Sequence, residues 1–292
     1  MNPEQRGLDE NVLRMAVPSK GRLAQTTEEI LRRAGLRYRR RERRLYARCK
    51  GMDILLVFSR AADVPRMVDG GAVDLGVTGS DVLREQGLAV DAVLPLGFGR
   101  SRMVLAVRDG SGYERREDLA GRTIGTSYPQ TARAYFEGVE PEVRLLTLSG
   151  ATEVMVGLGL VDGIVEIVET GDSLAENHLH SIEEIASSEA VLVARRGQVI
   201  EGELSRLIRR IEGVLQARRY SLLEYNLPRN LLEQATKITP GFSSPTVQET
   251  ADSEWLAVKV MVEKVDVPGI LDQLEGLGAR AILETEVANS RL

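Results

Sequence analysis

One stretch of the sequence, residues 161–174, combines acids, hydroxyls and glycine in an order that suits a sugar phosphate. An apolar segment carries Asp162 and Glu166 and delivers Glu169 to its carboxyl end. It continues into the loop Thr170-Gly171-Asp172-Ser173-Leu174, where a helix is predicted to begin. Such a loop offers hydroxyls, backbone N–H groups and a helix N-terminus to a phosphate. Glu166 or Glu169 can accept hydrogen bonds from the hydroxyls of a ribose.

The same residues also make an ordinary turn, in which Asp172 or Ser173 caps the helix. Because the charge of Asp172 would repel a phosphate, we expect its side chain to point outward or to cap the helix. Taken alone, the turn is the commoner meaning of this pattern.

Residue counts limit the other chemistry. The 292 residues contain two histidines, His178 and His180, and one cysteine, Cys49. A multi-histidine metal site, a disulfide framework and a serine or cysteine relay are therefore poor hypotheses. On a helix the two histidines would point to different sides, which favours a surface or structural role. We expect Cys49 to be a partly exposed thiol and the compartment to be the cytoplasm.

Two further loops and one basic segment could bind anions. Lys20-Gly21-Arg22 places two cations between a predicted strand and a helix, whereas Thr78-Gly79-Ser80-Asp81 is as ambiguous as the loop at 170–173. Residues 32–50 hold ten basic residues and one acid, although the net charge of the whole chain is −5. This run indicates a solvated or subunit-contacting hairpin more than a nucleic-acid surface.

The elements that position these residues alternate as β-loop-α units. Short apolar segments at 12–17, 53–58 and 73–77 are each followed by a loop and an amphipathic helix, and the pattern recurs after residue 102. Gly-Ala-Val-Asp-Leu-Gly-Val at 71–77 corresponds to Gly-Leu-Val-Asp-Gly-Ile-Val at 159–165. We infer an α/β fold of two similar lobes with mostly parallel sheets and a ligand cleft between them.

The carboxyl-terminal third of the chain does not continue this alternation of β-loop-α units. A strand at 190–194 and a long amphipathic helix carrying residues 204–215 precede a proline-punctuated stretch at 225–245, which we interpret as a linker. Residues 255–283 then predict a small βαβ module.

Together these motifs resemble the long-form ATP phosphoribosyltransferase of histidine biosynthesis. The matching segments run in family order: 16–23, 63–65, 74–81, 96–99, 126–129, 148–151, 162–174 with Asn177, 239–241, 244–246, Trp255 and 278–283. The resemblance covers nearly the whole chain.

The resemblance implies transfer of a 5-phosphoribosyl group from phosphoribosyl pyrophosphate to N1 of ATP, with Mg²⁺ carried mainly by the pyrophosphate. It implies two periplasmic-binding-protein-like lobes and a C-terminal ferredoxin-like α+β domain that binds histidine as an inhibitor. Lobe I is expected over 1–98 and 190–217, lobe II over 99–189 and the regulatory domain over 218–292. A homo-oligomer, dimer or hexamer, is also expected.

Residue roles follow from the resemblance. Residues Glu169 to Leu174 would hold the 5′-phosphate, with Asp162 and Glu166 beside the ribose. The ATP side would use a separate set of loop residues, namely Lys20, Gly21, Arg22, Arg60, Asp81 and Arg100. The regulatory site would include Asn226, Thr246 and Ala281.

Two other classes of protein would share the cleft. One is a two-lobed solute-binding or sensor protein, whose extracellular members need a secretory signal that we do not find at the N-terminus. The other is a regulatory subunit without catalysis, which would have no need of the hydroxyls of Thr170 and Ser173.

Overall fold

The structure, a computed structural model, describes residues 12–40 and 44–291. Its internal contacts divide the chain into two compact units. The first draws on residues up to 28 and on 37–200, and the second on 29–36 and the chain from 201 onward. The lobe and domain boundaries given above remain predictions.

The first unit contains eleven of the strands in the described residues and most of the helices. Its strands are β1 (Leu13–Pro18), β2 (Tyr46–Arg48), β3 (Ile54–Ser59), β4 (Leu75–Gly79), β5 (Val90–Pro95), β6 (Ser101–Arg108), β7 (Thr123–Thr126), β8 (Arg144–Thr147), β9 (Gly163–Val168), β10 (Leu179–Ser188) and β11 (Ala190–Arg195). Its helices are α1 (Ala24–Arg33, which ends in the second unit), α2 (Val64–Asp69), α3 (Ser80–Gln86), α4 (Pro129–Tyr135), α5 (Thr152–Gly157) and α6 (Asp172–Glu176).

These strands form two sheets of the same design, one in each lobe. The lobe I sheet has the order β2-β3-β1-β4-β11-β5, and the lobe II sheet has the order β10-β6-β9-β7-β8. In each sheet, three adjacent parallel strands are followed by two strands, each of which is antiparallel to its neighbour. In lobe I the parallel strands are β3, β1 and β4, and β11 and β5 follow. In lobe II the parallel strands are β8, β7 and β9, and β6 and β10 follow. The predicted pair of similar lobes is confirmed, but the prediction of mostly parallel sheets is wrong, because antiparallel pairs complete each sheet and make it mixed.

The repeated aspartate of the two lobes has the same task in each. In lobe I, the backbone N–H of Arg14 donates to the Asp74 carboxylate at 2.7 Å, and the Asp74 N–H donates to the Arg14 carbonyl at 2.9 Å. In lobe II, the N–H of Thr123 donates to the Asp162 carboxylate at 2.9 Å, and the Asp162 N–H donates to the Thr123 carbonyl at 2.7 Å. Each aspartate therefore fixes the register between two central parallel strands at their amino ends.

The central strands are mostly apolar because helices or loops cover both faces. All five residues of β4 are buried, and α2 packs against it so closely that a Cβ on Gly76 would lie 2.2 Å from Cγ1 of Val64. Ala16, the partner of Gly76 on β1, lies 3.5 Å from the same Cβ position. Small residues at this point let the helix approach the sheet.

The second unit contains a long helix and a four-stranded sheet. Its helices are α7 (Gly202–Arg219), α8 (Leu232–Ile238) and α9 (Val267–Leu277), and its strands are β12 (Tyr220–Pro228), β13 (Thr246–Glu249), β14 (Trp255–Glu263) and β15 (Arg280–Glu286). The sheet order is β13-β14-β12-β15, with every neighbouring pair antiparallel. The succession βαββαβ in this order is the ferredoxin-like arrangement that we predicted.

Several local predictions are wrong. Residues 225–245 are not a linker, since Tyr225 to Pro228 complete β12 and α8 follows. Thr78-Gly79-Ser80-Asp81 is not a loop, because β4 runs to Gly79 and α3 begins at Ser80. His180 lies on β10 rather than on a helix, where its Nδ1 is 2.9 Å from the Asp109 carboxylate.

Two predictions concern the basic run at 32–50 and Cys49 within it. The thiol is buried rather than partly exposed, and burial raises its pKa to about 11. In the basic run, Arg32 and Arg33 end α1, Arg37 and Lys50 form an antiparallel bridge, and β2 pairs with β3, which lies beyond the run. Residues 41–43, in the middle of the run, lie outside the described residues.

Among the helices of residues 12–40 and 44–291, none combines the length and apolar character needed to cross a bilayer.

We predict that Gly76→Ala destabilises the first unit, because the new methyl group collides with Val64. Overpacking of this kind costs about 1–3 kcal/mol, which thermal or urea unfolding would detect as a lower midpoint. Gly157→Ala is the matched control, since a Cβ there meets nothing within 4 Å and alanine favours the helix. Equal midpoints for the two variants would contradict the packing described here.

Candidate active site

The loops that follow the parallel strands of lobe II meet at one edge of its sheet. β7, β8 and β9 run in the same direction, so their carboxyl ends lie together. The segment after β7 supplies Ser127 and Tyr128, the first turn of α5 supplies Thr152 and Glu153, and β9 leads into the loop that begins at Glu169. The predicted phosphate loop therefore lies at the edge where such folds bind ligands.

Both loop hydroxyls donate to carboxylates of the chain. Thr170 Oγ1 donates to the Asp172 carboxylate at 2.7 Å, so Asp172 bonds within the loop instead of capping α6. Ser173 Oγ donates to Oε1 of Glu153 at 2.6 Å. Burial alone would raise the pKa of Glu153, but the bonds from Ser173, its own backbone N–H and Thr152 lower it below the ordinary value.

Gly171 and Leu174 shape the backbone of this loop. Gly171 has φ +94°, a left-handed conformation that glycine adopts without strain, and a Cβ there would meet nothing within 4 Å. Leu174 is buried in the lobe II core and anchors the other end of the loop. Leu174 thus holds the carboxyl end of the loop in place, whereas a ligand can approach the backbone closely at Gly171.

Glu166 projects from β9 into this cluster. Its carboxylate accepts hydrogen bonds from the Ile167 N–H at 3.0 Å, from Thr152 Oγ1 at 3.2 Å and from Ser127. Burial raises the pKa of Glu166, and the charge of Glu153 adds to the rise, while the three hydrogen bonds oppose it. The result is a half-buried acid whose pKa lies above the ordinary value.

Asp162 is not brought to this cluster. It precedes β9, at the amino end of the strand, and its carboxylate holds the Thr123 N–H. At about 3.3 Å per strand residue, it lies on the order of 20 Å from the loop that begins at Glu169. The prediction that Asp162 lies beside the ribose with Glu166 is therefore wrong, because the strand separates the two acids.

Arg22, in the loop after β1, reaches from lobe I to lobe II. Its Nη1 donates to the Gly99 carbonyl at 2.7 Å and to Ser101 Oγ at 2.8 Å. Its Nη2 lies 3.5 Å from the Asp81 carboxylate, and its Nε lies 3.9 Å from that of Glu169. One guanidinium group thus connects the predicted ATP side with the start of the phosphate loop.

Asp81, in the first turn of α3, is a buried carboxylate with only 2% of its surface exposed. Ser188 Oγ donates to it at 2.8 Å, and the Tyr128 hydroxyl of lobe II donates to it at 3.2 Å. Burial and the neighbouring Asp81 charge raise the pKa of Tyr128, so its hydroxyl stays protonated and keeps donating.

A second contact between the lobes joins α3 to α4. The Glu85 carboxylate accepts hydrogen bonds from the backbone N–H groups of Gln130 and Thr131 and from Thr131 Oγ1, each at 2.9 Å. Lobe I thereby satisfies the free donors of the first turn of a lobe II helix. We call this contact the Glu85 clasp.

The other predicted cations lie on exposed loops around the cleft. Lys20 follows β1, Arg60 follows β3, and Arg100 precedes β6. Arg100 lines a cavity of about 590 Å³ whose lining also includes Ser80, Ser188 and Glu169. Gly21, next to Lys20, has φ +83° and open space around its Cβ position.

The three predicted regulatory residues lie on the sheet of the second unit. Asn226 on β12 pairs with Arg280 on β15, next to Ala281, which has a left-handed φ of 50° at an irregularity of the ladder. Thr246 lies on β13, two strands away from β12. Asn226 and Ala281 are therefore neighbours, and Thr246 is not adjacent to them.

Four important residues escaped the sequence analysis: Glu85, Tyr128, Glu153 and Ser188. Glu153 carried a signal, since it is an acid in the first turn of a helix that follows a parallel strand. The partners of Glu85 and Ser188 are 45 or more positions away along the chain. A single sequence contains no sign of such pairs.

No group of three or more histidine, cysteine, aspartate and glutamate side chains suited to a metal ion occurs within the described part of the chain.

Comparison with known proteins identifies the family of the chain. Residues 60–213 match the family described as ATP phosphoribosyltransferase, and residues 217–289 match the family described as HisG, C-terminal domain. An ATP phosphoribosyltransferase of Rhodopirellula baltica is 41% identical over 97% of this chain and 95% of its own length. One from Saccharopolyspora erythraea is 39% identical over 96% of this chain and all of its own.

A solved structure supports the same relationship. A chain from the ATP phosphoribosyl transferase (HisG:HisZ) complex of Thermotoga maritima superimposes with a TM-score of 0.62 at 29% identity. The match covers 70% of this chain and 98% of the other. Sequence and fold agree, and the chain belongs to the ATP phosphoribosyltransferase family, the enzymes of the first step of histidine biosynthesis.

Proposed function

We propose that the carboxyl edge of the lobe II sheet is where the 5-phosphoribosyl group passes from phosphoribosyl pyrophosphate to N1 of ATP. The observation that carries this assignment is the convergence of the Thr170 and Ser173 hydroxyls with the carboxylates of Glu153 and Glu166 at one edge. Hydroxyls suit the 5′-phosphate, and carboxylates suit the ribose.

The reaction itself explains this choice of residues. Displacing pyrophosphate from the anomeric carbon builds positive charge on the ribose, so the site needs anionic groups and accurate positioning more than a nucleophile. Glu166 and Glu169 provide carboxylates on either side of the start of the loop. Glu153, which already accepts the Ser173 hydroxyl, joins them as a residue that shapes the phosphate loop.

ATP is assigned to the lobe I side of the cleft. The exposed cations Lys20, Arg60 and Arg100 suit its triphosphate, and Arg22 with Asp81 forms the boundary between the two substrates. Gly21 lets the backbone approach the ligand.

We also propose that Mg²⁺ arrives with the pyrophosphate group. Mg²⁺ commonly binds substrate phosphates with only one or two protein carboxylates. Glu169, whose side chain is 57% exposed, offers such a carboxylate. When bound, the ion would neutralise charge on the leaving group.

Assembly and location are also proposals. Lobe II exposes several large apolar side chains, Leu146, Val154, Leu158 and Leu160, which favours a homo-oligomer, dimer or hexamer. Cys49, a free thiol, agrees with the reducing cytoplasm.

The first test is to incubate the protein with ATP, phosphoribosyl pyrophosphate and Mg²⁺ and to detect N1-ribosylated ATP.

We predict that Thr170→Ala combined with Ser173→Ala raises the apparent KM for phosphoribosyl pyrophosphate at least tenfold, about 1.4 kcal/mol, because two phosphate donors are lost. Ser181→Ala, on an exposed position of β10, is the control. An unchanged KM in the double variant would refute the phosphate-loop assignment.

The Glu85 clasp is predicted to support catalysis by holding the two walls of the cleft together. Glu85→Ala removes three hydrogen bonds to a charged acceptor, so we expect kcat/KM to fall at least tenfold. Glu137→Ala, an exposed acid just beyond α4, controls for loss of negative charge. Equal kcat/KM in both variants would show that catalysis does not need the clasp.

Feedback inhibition by histidine is a separate proposal, which rests on the ferredoxin-like sheet and the neighbouring positions of Asn226 and Ala281. We predict that histidine inhibits the protein and that Asn226→Leu raises the half-inhibiting concentration at least tenfold, because a polar contact to the amino acid is lost. Gln273→Leu, an exposed amide on α9, should leave inhibition unchanged. Wild-type protein that histidine does not inhibit would exclude this proposal.

A further inference from the structure

Thr152 is a buried hydroxyl between two carboxylates. Only 1% of its surface is exposed. Its Oγ1 lies 3.2 Å from Oε2 of Glu166 and 3.3 Å from Oε2 of Glu153. A threonine hydroxyl carries one proton, so it can donate fully to only one of these oxygens at a time.

The backbone conformation of the residue before Thr152 helps to place its hydroxyl between the two carboxylates. Ala151, the residue before α5, has φ 51° and ψ 37°, a left-handed conformation that a non-glycine residue rarely adopts. Such strain persists only where the surrounding structure fixes it. In this chain it directs the first residue of α5 inward, against β9, where its hydroxyl meets Glu166.

We propose that Thr152 is a positioning residue for Glu166: its hydroxyl fixes the orientation of that carboxylate and stabilises its charged form. The inference rests on the role proposed above for Glu166 at the ribose. Thr152 itself need not touch either substrate.

The charges around Glu166 explain why a donor matters here. Two titratable groups face it: Glu153 from α5, whose negative charge disfavours ionisation, and Tyr128 from the segment after β7, which stays neutral. Burial already raises the pKa of Glu166. The Thr152 hydroxyl lies between the two acids. Its hydrogen bond lowers the pKa of Glu166 and so opposes the effects of burial and of the Glu153 charge.

The direction of the effect follows. A hydrogen bond to a carboxylate lowers its pKa, so loss of the Thr152 hydroxyl raises the pKa of Glu166 further. Glu166 must be charged to stabilise positive charge on the ribose. Removal of the hydroxyl should therefore move the acidic limb of the activity profile to higher pH.

The test uses the full-length protein and compares Thr152→Val, which keeps the shape but removes the hydroxyl, with Thr152→Ser, which keeps the hydroxyl. The kcat/KM for phosphoribosyl pyrophosphate is measured across the acidic and neutral range. We expect the acidic limb of T152V to shift upward by about half to one pH unit, with activity above the limb within about threefold of wild type. T152S should keep the wild-type limb.

Two results would overturn the inference. One is a T152V profile that coincides with wild type. The other is a uniform loss of activity at every pH without movement of the limb, which would mean that Thr152 only supports the fold. If thermal unfolding shows that T152V is not folded, Thr152→Ala compared with T152S answers the same question, since both lack the methyl group and only T152A lacks the hydroxyl.

Glu166→Gln, measured alongside, separates this inference from the function on which it rests. If E166Q loses activity and the limb of T152V does not move, only the role of Thr152 is refuted. If E166Q keeps the wild-type kcat/KM and profile, the ribose role of Glu166 is refuted first, and the role of Thr152 falls with it.

Discussion

The cleft of this protein depends on providing hydrogen-bond donors to the buried carboxylate of Asp81. A buried carboxylate is stable only if several donors replace the water it has lost. Here the donors come from three separate places: Ser188 at the end of β10, Tyr128 from the other lobe, and Arg22 after β1. The need to satisfy this one carboxylate therefore draws three segments together, and one of them, the loop after β1, carries the Lys20, Gly21 and Arg22 that are assigned to ATP.

The remaining donors of the cleft are arranged by the same rule. Ser173 is held by Glu153, Thr170 by Asp172, and the first turn of α4 by Glu85. Each of these carboxylates fixes the position of its donor. Because a hydroxyl carries one proton, a bound phosphate must replace the carboxylate as the acceptor of that proton.

The sequence was informative where the signal was local or repeated. The buried strands, the paired lobes and the loop at 169–174 follow from apolar periodicity, glycine and hydroxyl patterns, and a family resemblance across the whole chain. Asp162 shows the limit of such reasoning. Its position next to a promising loop suggested chemistry, yet the matching Asp74 in the other lobe reveals a structural role common to both. The half-exposed strands β5 and β10 and the contacts of Glu85 depend on partners distant in sequence.

The two lobes differ most where the third parallel strand ends. In lobe I the chain passes directly from β4 into α3, and the acid in the first turn becomes the buried Asp81. In lobe II, Glu169, Thr170 and Gly171 intervene between β9 and α6. The two lobes thus share one strand order but differ in the length of this connection. The direct junction buries its acid, whereas the longer one forms the loop proposed to bind the 5′-phosphate. Selection for a new ligand could act on those intervening residues while the paired aspartates at the far ends of the strands keep both sheets unchanged.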